Sequence, residues 1–463
     1  MVFSSIVFLF YYLPVVLTVC FIVPAKYRNI WLFVVNLIFY GWGEPIYILL
    51  MLFSICLNYF NGILIGKYRV TDPNKAKGFL AVNTILNLAL LVIFKYTDLI
   101  AGTINHLFGT SLPLPGLTLP IGISFYTFQS MSYPIDVYRG DTDTQKNFIR
   151  FGTFVTLFPQ LIAGPIVRYK DIADQLDKRP AGLDLFASGV ERFVIGLGKK
   201  VLLANNIGIL WDHYAAMGEI TFSGAWLGAV AFSLQLYFDF SGYSDMAIGL
   251  GRMLGFEFLE NFNYPYISQS VTEFWRRWHI SLGSWFRDYL YIPLGGNRRG
   301  LPRQLCNILV VWALTGLWHG ANWTFLLWGL YYALFLVLEK VFLLKYLRKT
   351  HILGHVYALL VAAFGWMIFQ LNTLKEVAHY WKAMLGFGGV GFVNSTDLYM
   401  ARSYLVILVI SIIAATPLAK TVYNRVSPRV QSVLTPVMLL LVLIISTAYL
   451  VDATYNPFLY FRF

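Results

Sequence analysis

The sequence predicts an all-α polytopic membrane protein, with about 11–12 transmembrane helices and with re-entrant and amphipathic helices around a central tunnel. Of the 463 residues, 58% are hydrophobic and 13% are charged, which is about half the charged fraction of an ordinary soluble domain. Apolar runs such as 7–23, 79–94 and 433–451 are long enough to cross a bilayer core of roughly 30 Å. Between such runs lie clusters of Lys and Arg, and the net charge is +12.

Basic clusters that separate apolar runs are typical of cytoplasmic loops facing anionic lipid. The positive charge therefore predicts membrane lipids as neighbours and indicates no nucleic-acid partner. The first apolar run has no basic segment before it, and Lys26 and Arg28 follow it. We therefore predict a first transmembrane helix there and no signal peptide. The three cysteines show no paired spacing, so we expect them to be small buried apolar residues.

The alternation of apolar runs and basic clusters also predicts the order of the crossings. Single crossings are expected near residues 6–24, 29–42, 46–64, 79–100, 119–136, 190–212, 222–240, 352–371, 403–419 and 431–451, and an apolar hairpin over 305–339. The outer side should hold the loop 108–120, a surface helix over 372–389 and the C-terminal YNPFLYFRF. We treat 1–463 as one membrane domain with N-terminal helices (1–118), a central core (119–340) and C-terminal helices (341–463).

Two stretches of the core do not fit a simple crossing. The run 151–171 starts and ends among basic residues and is interrupted by Pro159, Gly164 and Pro165, so we predict a re-entrant element that dips from the cytoplasmic side. The stretch 241–304 is too polar to face lipid. Within it, residues 270–290 interleave aromatic and charged side chains, which favours an interfacial amphipathic helix.

The central region is rich in ionisable residues. They are Asp239, Asp245, Arg252, Glu257, Glu260, Glu273, Arg276, Arg277, His279, Arg287 and Asp288. Such residues beside transmembrane runs line a cavity or pair with one another. For Asp245, Arg252, Glu273, Arg276 and Arg287, structural pairing is the favoured interpretation.

One histidine lies in the most aromatic run of the chain. His319 stands in LTGLWHGANWTF, and the nearest polar residues on its own helix turn are Thr315 and Asn322. An imidazole in an aromatic pocket is kept neutral by desolvation and can take a proton from a bound hydroxyl or thiol. Zinc-ligand spacings, phosphate-binding glycine loops and serine-nucleophile elbows are absent from the sequence, so neither a metal nor a bound cofactor is predicted.

Several long strings of the chain resemble the membrane-bound O-acyltransferase superfamily, and in particular its alginate O-acetyltransferase-like bacterial branch. The strings are MVFSSIVFLF, GISFYTFQSMSYPIDVYRG, FPQLIAGPIVRY, YFDFSGYSDMAIGLGRMLGFEFLENFNYPY, SVTEFWRRWHISLGSWFRDYLYIPLGGNR and LTGLWHGANWTFLLWGL. The likeness runs from residue 1 to the closing PFLYFRF.

The resemblance implies that the central tunnel is a catalytic tunnel and that residues 119–340 form the catalytic core. It also implies that His319 is the catalytic histidine and that His279 occupies the family's second functional position. It also implies an acetyl thioester donor in the cytoplasm, acetyl-CoA being the expected one. The acetyl group would cross the bacterial inner membrane to an extracytoplasmic SGNH-type acetyltransferase, with a polysaccharide as the final acceptor. D-alanyl transfer to teichoic acid from a carrier protein is the alternative within the family. A multi-helix transporter or flippase, or a non-catalytic assembly platform, would be a different class.

The remaining candidates have supporting roles. We expect His279 to orient the donor or line its tunnel. Arg276, Arg277 and Arg287 could receive the phosphates of CoA, and contact with lipid headgroups explains them equally well. Asp239, Tyr243 and Asn322 are expected to support the reacting groups.

Overall fold

The computed structural model describes residues 1–162, 164–180, 182–452 and 458–459, and every regular element in these ranges is a helix. The predicted all-α class is therefore confirmed. The chain forms two compact units, one made of residues 1–193 and 243–259 and the other of 194–242 and 260–463. Two long helices, Leu183–Gly198 and Phe222–Met253, carry the chain from one unit to the other.

The first unit is an assembly of long and short helices. Its helices are Leu13–Ile22 with the π-helical turn Phe8–Tyr12 before it, Arg28–Gly41, Ile48–Tyr68, Pro73–Phe108, Ile123–Arg139, Phe148–Thr156, Phe158–Leu161 and Tyr169–Asp177. Two long helices of this unit are joined by buried amides, because Asn58 Nδ2 donates to Asn87 Oδ1 at 3.0 Å and Asn83 Nδ2 donates to Asn58 Oδ1 at 3.0 Å. Such interhelical bonds hold apolar helices together where hydrophobic burial adds little.

The segment predicted to be re-entrant is broken, as its prolines and glycines require. The helix Phe148–Thr156 ends at Leu157, whose backbone is not helical (φ −53°, ψ 106°), and the single helical turn Phe158–Leu161 follows it. Asn36 satisfies the backbone at this break, because its Oδ1 accepts from Phe158 N at 3.2 Å while its Nδ2 donates to Thr156 Oγ1 at 3.3 Å. A broken segment at membrane depth needs such partners from the protein. Entry from the cytoplasmic side stays a prediction.

The second unit holds both candidate histidines. Its helices are Asn205–Ala215 after the π-helical turn Lys199–Ala204, Val271–Arg277, Ile280–Phe286 with the π-helical turn Arg287–Tyr291 after it, Leu301–His319, Trp323–Leu338, Leu344–Leu347 after the π-helical turn Glu339–Leu343, His351–Gln370, Leu374–Met384, Ser395–Ser403, Leu405–Ala414, Leu418–Tyr423 and Pro428–Asp452. The predicted hairpin over 305–339 is observed as Leu301–His319 and Trp323–Leu338, which we call the Trp-rich hairpin.

Two glycines set the spacing of the Trp-rich hairpin. A Cβ added to Gly316 would lie 2.3 Å from Phe325 O, and one added to Gly329 would lie 2.2 Å from Trp312 O. Any side chain at these positions would push the two helices apart. Close backbone approach at small residues is the usual way in which helices pack inside membranes.

Six helices in the described part of the chain are long and apolar enough to cross a membrane. They are Ile48–Tyr68, Pro73–Phe108, Leu183–Ala215, Trp323–Leu347, His351–Gln370 and Pro428–Asp452, and the bent pair Ser395–Ser403 and Leu405–Ala414 would make a seventh. The chain is therefore a multi-pass membrane protein. The predicted number of crossings, about 11–12, exceeds this number of long apolar helices. The difference comes from short or polar elements: Arg28–Gly41 has 14 residues, or about 21 Å of helix, and Ile123–Arg139 buries Ser, Thr, Gln and Asp side chains.

Three other expectations can be compared with the structure. The surface helix expected over 372–389 is present as Leu374–Met384. The prediction of one amphipathic helix over 270–290 is wrong, because the chain forms three segments there, Val271–Arg277, Ile280–Phe286 and Arg287–Tyr291. We call these three segments together the broken helix. Of the C-terminal YNPFLYFRF, only residues 458 and 459 belong to the described residues.

Candidate functional site

His319 is the last residue of the first helix of the Trp-rich hairpin, and its side chain is buried, with 6% of its surface exposed. The helix ends there because Gly320 adopts an extended backbone, with φ −167° and ψ 157°. The imidazole packs edge to face on Trp328 and Phe369, with ring centroids 4.9 and 5.3 Å apart. An aromatic shell of this kind keeps bulk water away from an imidazole that could take part in proton transfer.

His279 lies at the break between the first two segments of the broken helix. Its backbone is left-handed, with φ +46°, a conformation that is costly for a residue with a Cβ and is concentrated at functional sites. The loop before the broken helix satisfies the backbone at this point, because Asn263 N donates to Arg277 O at 2.9 Å and Ile280 N donates to Asn261 O at 3.0 Å.

The His279 ring is held by hydrogen bonds on one edge and by aromatic packing. Its Nδ1 is 3.2 Å from Asn261 Oδ1 and 3.4 Å from Ser281 Oγ, and Phe240 packs edge to face at 4.7 Å. No protein group within the described ranges bonds its Nε2. Only 2% of the side chain is exposed, and this burial lowers the pKa of His279 to about 3, so the ring is neutral at physiological pH.

The two histidines share one tryptophan. The ring of Trp318 lies 6.1 Å from that of His279 and 5.0 Å from that of His319. The structure therefore brings together the two imidazoles that the sequence separates by 40 positions.

A cavity of about 220 Å³ opens between the broken helix and the Trp-rich hairpin. Its walls are mostly apolar and include one imidazole and one guanidinium. The lining residues are Trp275, Trp278, His279, Leu282, Gly283, Phe286, Arg287, Tyr291, Ile308, Val311, Trp312 and Thr315. A largely apolar cavity with a few polar groups is the usual form of a small-ligand site.

The three candidate arginines differ in their surroundings. Arg277 pairs with Glu273 at 2.9 Å, and its Nη1 donates to Asn263 O at 3.1 Å. Arg287 lines the cavity and pairs with its neighbour Asp288 at 2.7 Å. Arg276 is exposed. Structural pairing therefore describes Arg277 and Arg287, while Arg276 is accessible to phosphate or lipid.

The three expected supporting residues lie in separate surroundings. Asp239 is buried and forms an ion pair with Lys200, and it also accepts a hydrogen bond from Leu459 N at 2.8 Å. Tyr243 belongs to the other unit, where its ring stacks on Phe3 at 4.7 Å. Asn322 caps the second helix of the Trp-rich hairpin, since its Oδ1 accepts from Thr324 N at 3.2 Å while its Nδ2 donates to Asn372 O at 3.0 Å.

Sequence reasoning missed two residues that position the broken helix. Glu339 is buried and accepts hydrogen bonds from Val271 N at 2.6 Å and from Thr272 N at 2.8 Å, so its carboxylate satisfies the helix N-terminus. Asn261 is buried beside His279. Each of them bonds a residue at least 18 positions away in the sequence, and no local sequence pattern predicts such a contact. Among the described residues, no group of three or more His, Cys, Asp and Glu side chains is placed to hold a metal ion.

Comparison with known proteins gives a consistent set of relatives. The model of the MBOAT, membrane-bound O-acyltransferase family, matches residues 141–375. The chain is 41% identical to the probable alginate O-acetylase AlgI of Azotobacter vinelandii, over the full length of both proteins. It is 35% identical to the peptidoglycan O-acetyltransferase of Helicobacter pylori over 84% of this chain and 81% of the relative. It is 30% identical to the teichoic acid D-alanyltransferase of Bacillus subtilis over 54% and 68%, respectively.

Proposed function

Because the chain belongs to the membrane-bound O-acyltransferase family and is therefore an acyltransferase, we propose that it O-acetylates an extracellular or cell-surface polysaccharide. The observation that carries this proposal is the 41% identity to an alginate O-acetylase over the whole of both chains. The acetyl group would come from a cytoplasmic thioester, acetyl-CoA, and would pass through the bacterial inner membrane. A transporter or flippase moves its substrate without breaking a covalent bond. Membership of an acyltransferase family therefore does not support that alternative.

In the proposed reaction, the acceptor hydroxyl oxygen attacks the thioester carbonyl carbon, a C–O ester bond forms and the C–S bond breaks. A ring nitrogen of His319 takes the hydroxyl proton and returns it to the thiolate that leaves. Burial among Trp318, Trp328 and Phe369 supports this role, because it keeps bulk water away from the proton transfer and from the activated acyl group. Proton transfer by a positioned group is typically worth about 10²–10⁴-fold in rate.

His279 and the arginines would serve the donor. We assign the cavity beside His279 to part of the donor, since its apolar walls, its imidazole and Arg287 suit a thioester arm with polar groups along it. The exposed Arg276 would attract the phosphates of CoA. Because Arg277 and Arg287 already have carboxylate partners, they contribute less net charge. On the outer side, an SGNH-type acetyltransferase would take the acetyl group and pass it to the glycan.

D-alanyl transfer to teichoic acid is the second candidate, and the similarity to a D-alanyltransferase over 54% of this chain favours it. Inside-out vesicles that contain the protein distinguish the two. Acetyl-CoA labelled in its acetyl group should release CoA and place label on a glycan or on a partner protein, while a D-alanyl carrier protein should give no transfer. The opposite pattern would replace the proposed donor, and a lack of transfer from either would contradict the proposed function.

A further inference from the structure

Asn261 determines which nitrogen of His279 carries the proton. The Asn261 Oδ1 atom is 3.2 Å from Ser281 N and 2.9 Å from Ser281 Oγ, and both groups donate to it. A backbone N–H can only donate, so the atom that faces it must be the amide oxygen and not the amide nitrogen. The orientation of the Asn261 side chain is thereby fixed.

The same oxygen is the partner of the His279 ring. His279 Nδ1 lies 3.2 Å from Asn261 Oδ1. An amide oxygen can only accept hydrogen bonds, so in this contact the ring nitrogen is the donor. Ser281 Oγ lies 3.4 Å from Nδ1 and donates its hydrogen bond to Asn261 Oδ1. It therefore presents lone pairs to the ring. Nδ1 must therefore carry a hydrogen. In a neutral imidazole, Nε2 is then the nitrogen with the lone pair.

We infer that Asn261 is a positioning residue that holds His279 as the Nδ1–H tautomer, so that the lone pair lies on Nε2, a buried atom that no described protein group bonds, on a residue that lines the cavity. A ligand group that bonds this nitrogen must be a hydrogen-bond donor: an N–H, O–H or S–H. The left-handed backbone of His279 supports this assignment, since strain of this kind persists where the surroundings fix a residue in place. The assignment of the cavity to the acyl donor rests on the proposed function, whereas the tautomer does not.

Charged groups on the neighbouring elements do not oppose this arrangement. Arg287, which lines the same cavity, pairs with Asp288. Asp239, next to Phe240 on the helix that packs against His279, pairs with Lys200. On the broken helix itself, Arg277 pairs with Glu273, Arg276 is exposed, and Glu260 adjoins Asn261 in the loop. Two further titratable rings are near: His319, which packs on the same Trp318 ring as His279, and Tyr291, which lines the cavity.

The direct test is the ¹⁵N spectrum of the histidine rings in the whole protein in micelles, with the His279 signals assigned by their loss in His279→Gln. The wild-type protein should show His279 as the neutral Nδ1–H tautomer at neutral pH. An Nε2–H tautomer, or an imidazolium, would overturn the inference. This result does not depend on catalysis, so it stands apart from any failure to find acetyl transfer.

Two variants extend the test. Asn261→Asp keeps the oxygen acceptor but adds a charge beside the ring, so His279 should become protonated at a pH roughly 1–3 units higher than in the wild type. Asn147→Asp is the matched control, because Asn147 caps a helix at an exposed site in the other unit and Asp caps equally well. It should leave the His279 signals unchanged. Equal titration of His279 in both variants would contradict the inference.

Asn261→Leu removes the acceptor and keeps a similar volume. We expect the ring to populate both tautomers and kcat/KM for acyl transfer to fall on the order of ten- to a hundredfold, as the loss of a buried hydrogen bond usually causes. Should the tautomer stay fixed in this variant, the role assigned to Asn261 would be wrong. If this variant does not fold, the wild-type spectrum still decides.

Discussion

Asp239 and Lys200 are charged residues whose pairing stabilises the fold. Both side chains are buried, and they form an ion pair. Removing one partner of a buried pair leaves an uncompensated charge and usually costs about 3–5 kcal/mol, whereas replacing both partners with apolar groups costs much less. We therefore expect Lys200→Met to lower the thermal stability in micelles strongly, and Lys200→Met with Asp239→Leu to recover most of it. Equal losses in the single and double variants would contradict this role.

Asn322 provides a second comparison at the same scale. Its side chain caps a helix and holds Asn372 O, so Asn322→Ala should lower the free energy of unfolding by about 1 kcal/mol. Asn322→Asp keeps the oxygen that caps the helix and should recover part of this loss. Acetyl transfer, measured well below the unfolding temperature, should survive in both variants. Loss of transfer in folded Asn322→Ala would instead favour the prediction from the sequence that Asn322 supports the reacting groups.

The residue types of the site could be predicted, but their partners could not. The sequence singles out His279 and His319 because imidazoles are unusual in so aromatic a region. Nothing local indicates that Asn261 bonds His279 from 18 residues away, or that Asp239 pairs with Lys200. Such contacts depend on how helices far apart in sequence come together, and apolar periodicity contains no information about them.

At the scale of elements, the Trp-rich hairpin depends on close contact at Gly316 and Gly329. We expect Gly316→Ala to separate the two helices, because the added methyl would meet the Phe325 carbonyl oxygen at 2.3 Å. Overpacking of this kind typically costs about 1–3 kcal/mol. Gly78→Ala is the control, since Gly78 also lies within a helix but has nothing within 4 Å of the added Cβ, and alanine favours helix there. Thermal unfolding of the two variants in micelles measures the difference, and equal stability would contradict the packing argument.

Elements that follow local rules were well predicted, and those that depend on tertiary contacts were not. The hairpin expected over 305–339 is Leu301–His319 with Trp323–Leu338, and the surface helix over 372–389 is Leu374–Met384. The amphipathic pattern of 270–290 indicated one helix, but the chain turns at His279, where Asn261 and Asn263 hydrogen-bond to the freed backbone. A helical pattern cannot reveal a break that a distant loop stabilises.

For the whole molecule, the sequence predicts more crossings than the described residues have helices long and apolar enough to cross alone, and the difference has a physical reason. Apolar runs such as 29–42 form helices too short to cross alone, and 119–136 forms a helix that is buried by other helices. Apolarity shows only that a segment avoids water, and burial in protein satisfies it as well as lipid does. Six or seven of the described helices are long and apolar enough to cross, which is sufficient to establish a multi-pass membrane protein.

For the whole molecule, we propose that the protein moves an acetyl group from a cytoplasmic thioester to an outer acceptor and that His319 transfers the proton. The most direct test is CoA release from acetyl-labelled acetyl-CoA in inside-out vesicles that contain either the wild-type chain or His319→Ala. We expect CoA release and labelled acceptor with the wild type, and a loss of at least about 10²-fold with a variant that keeps its thermal stability. A stable His319→Ala protein that releases CoA and labels the acceptor at the wild-type rate would contradict the account.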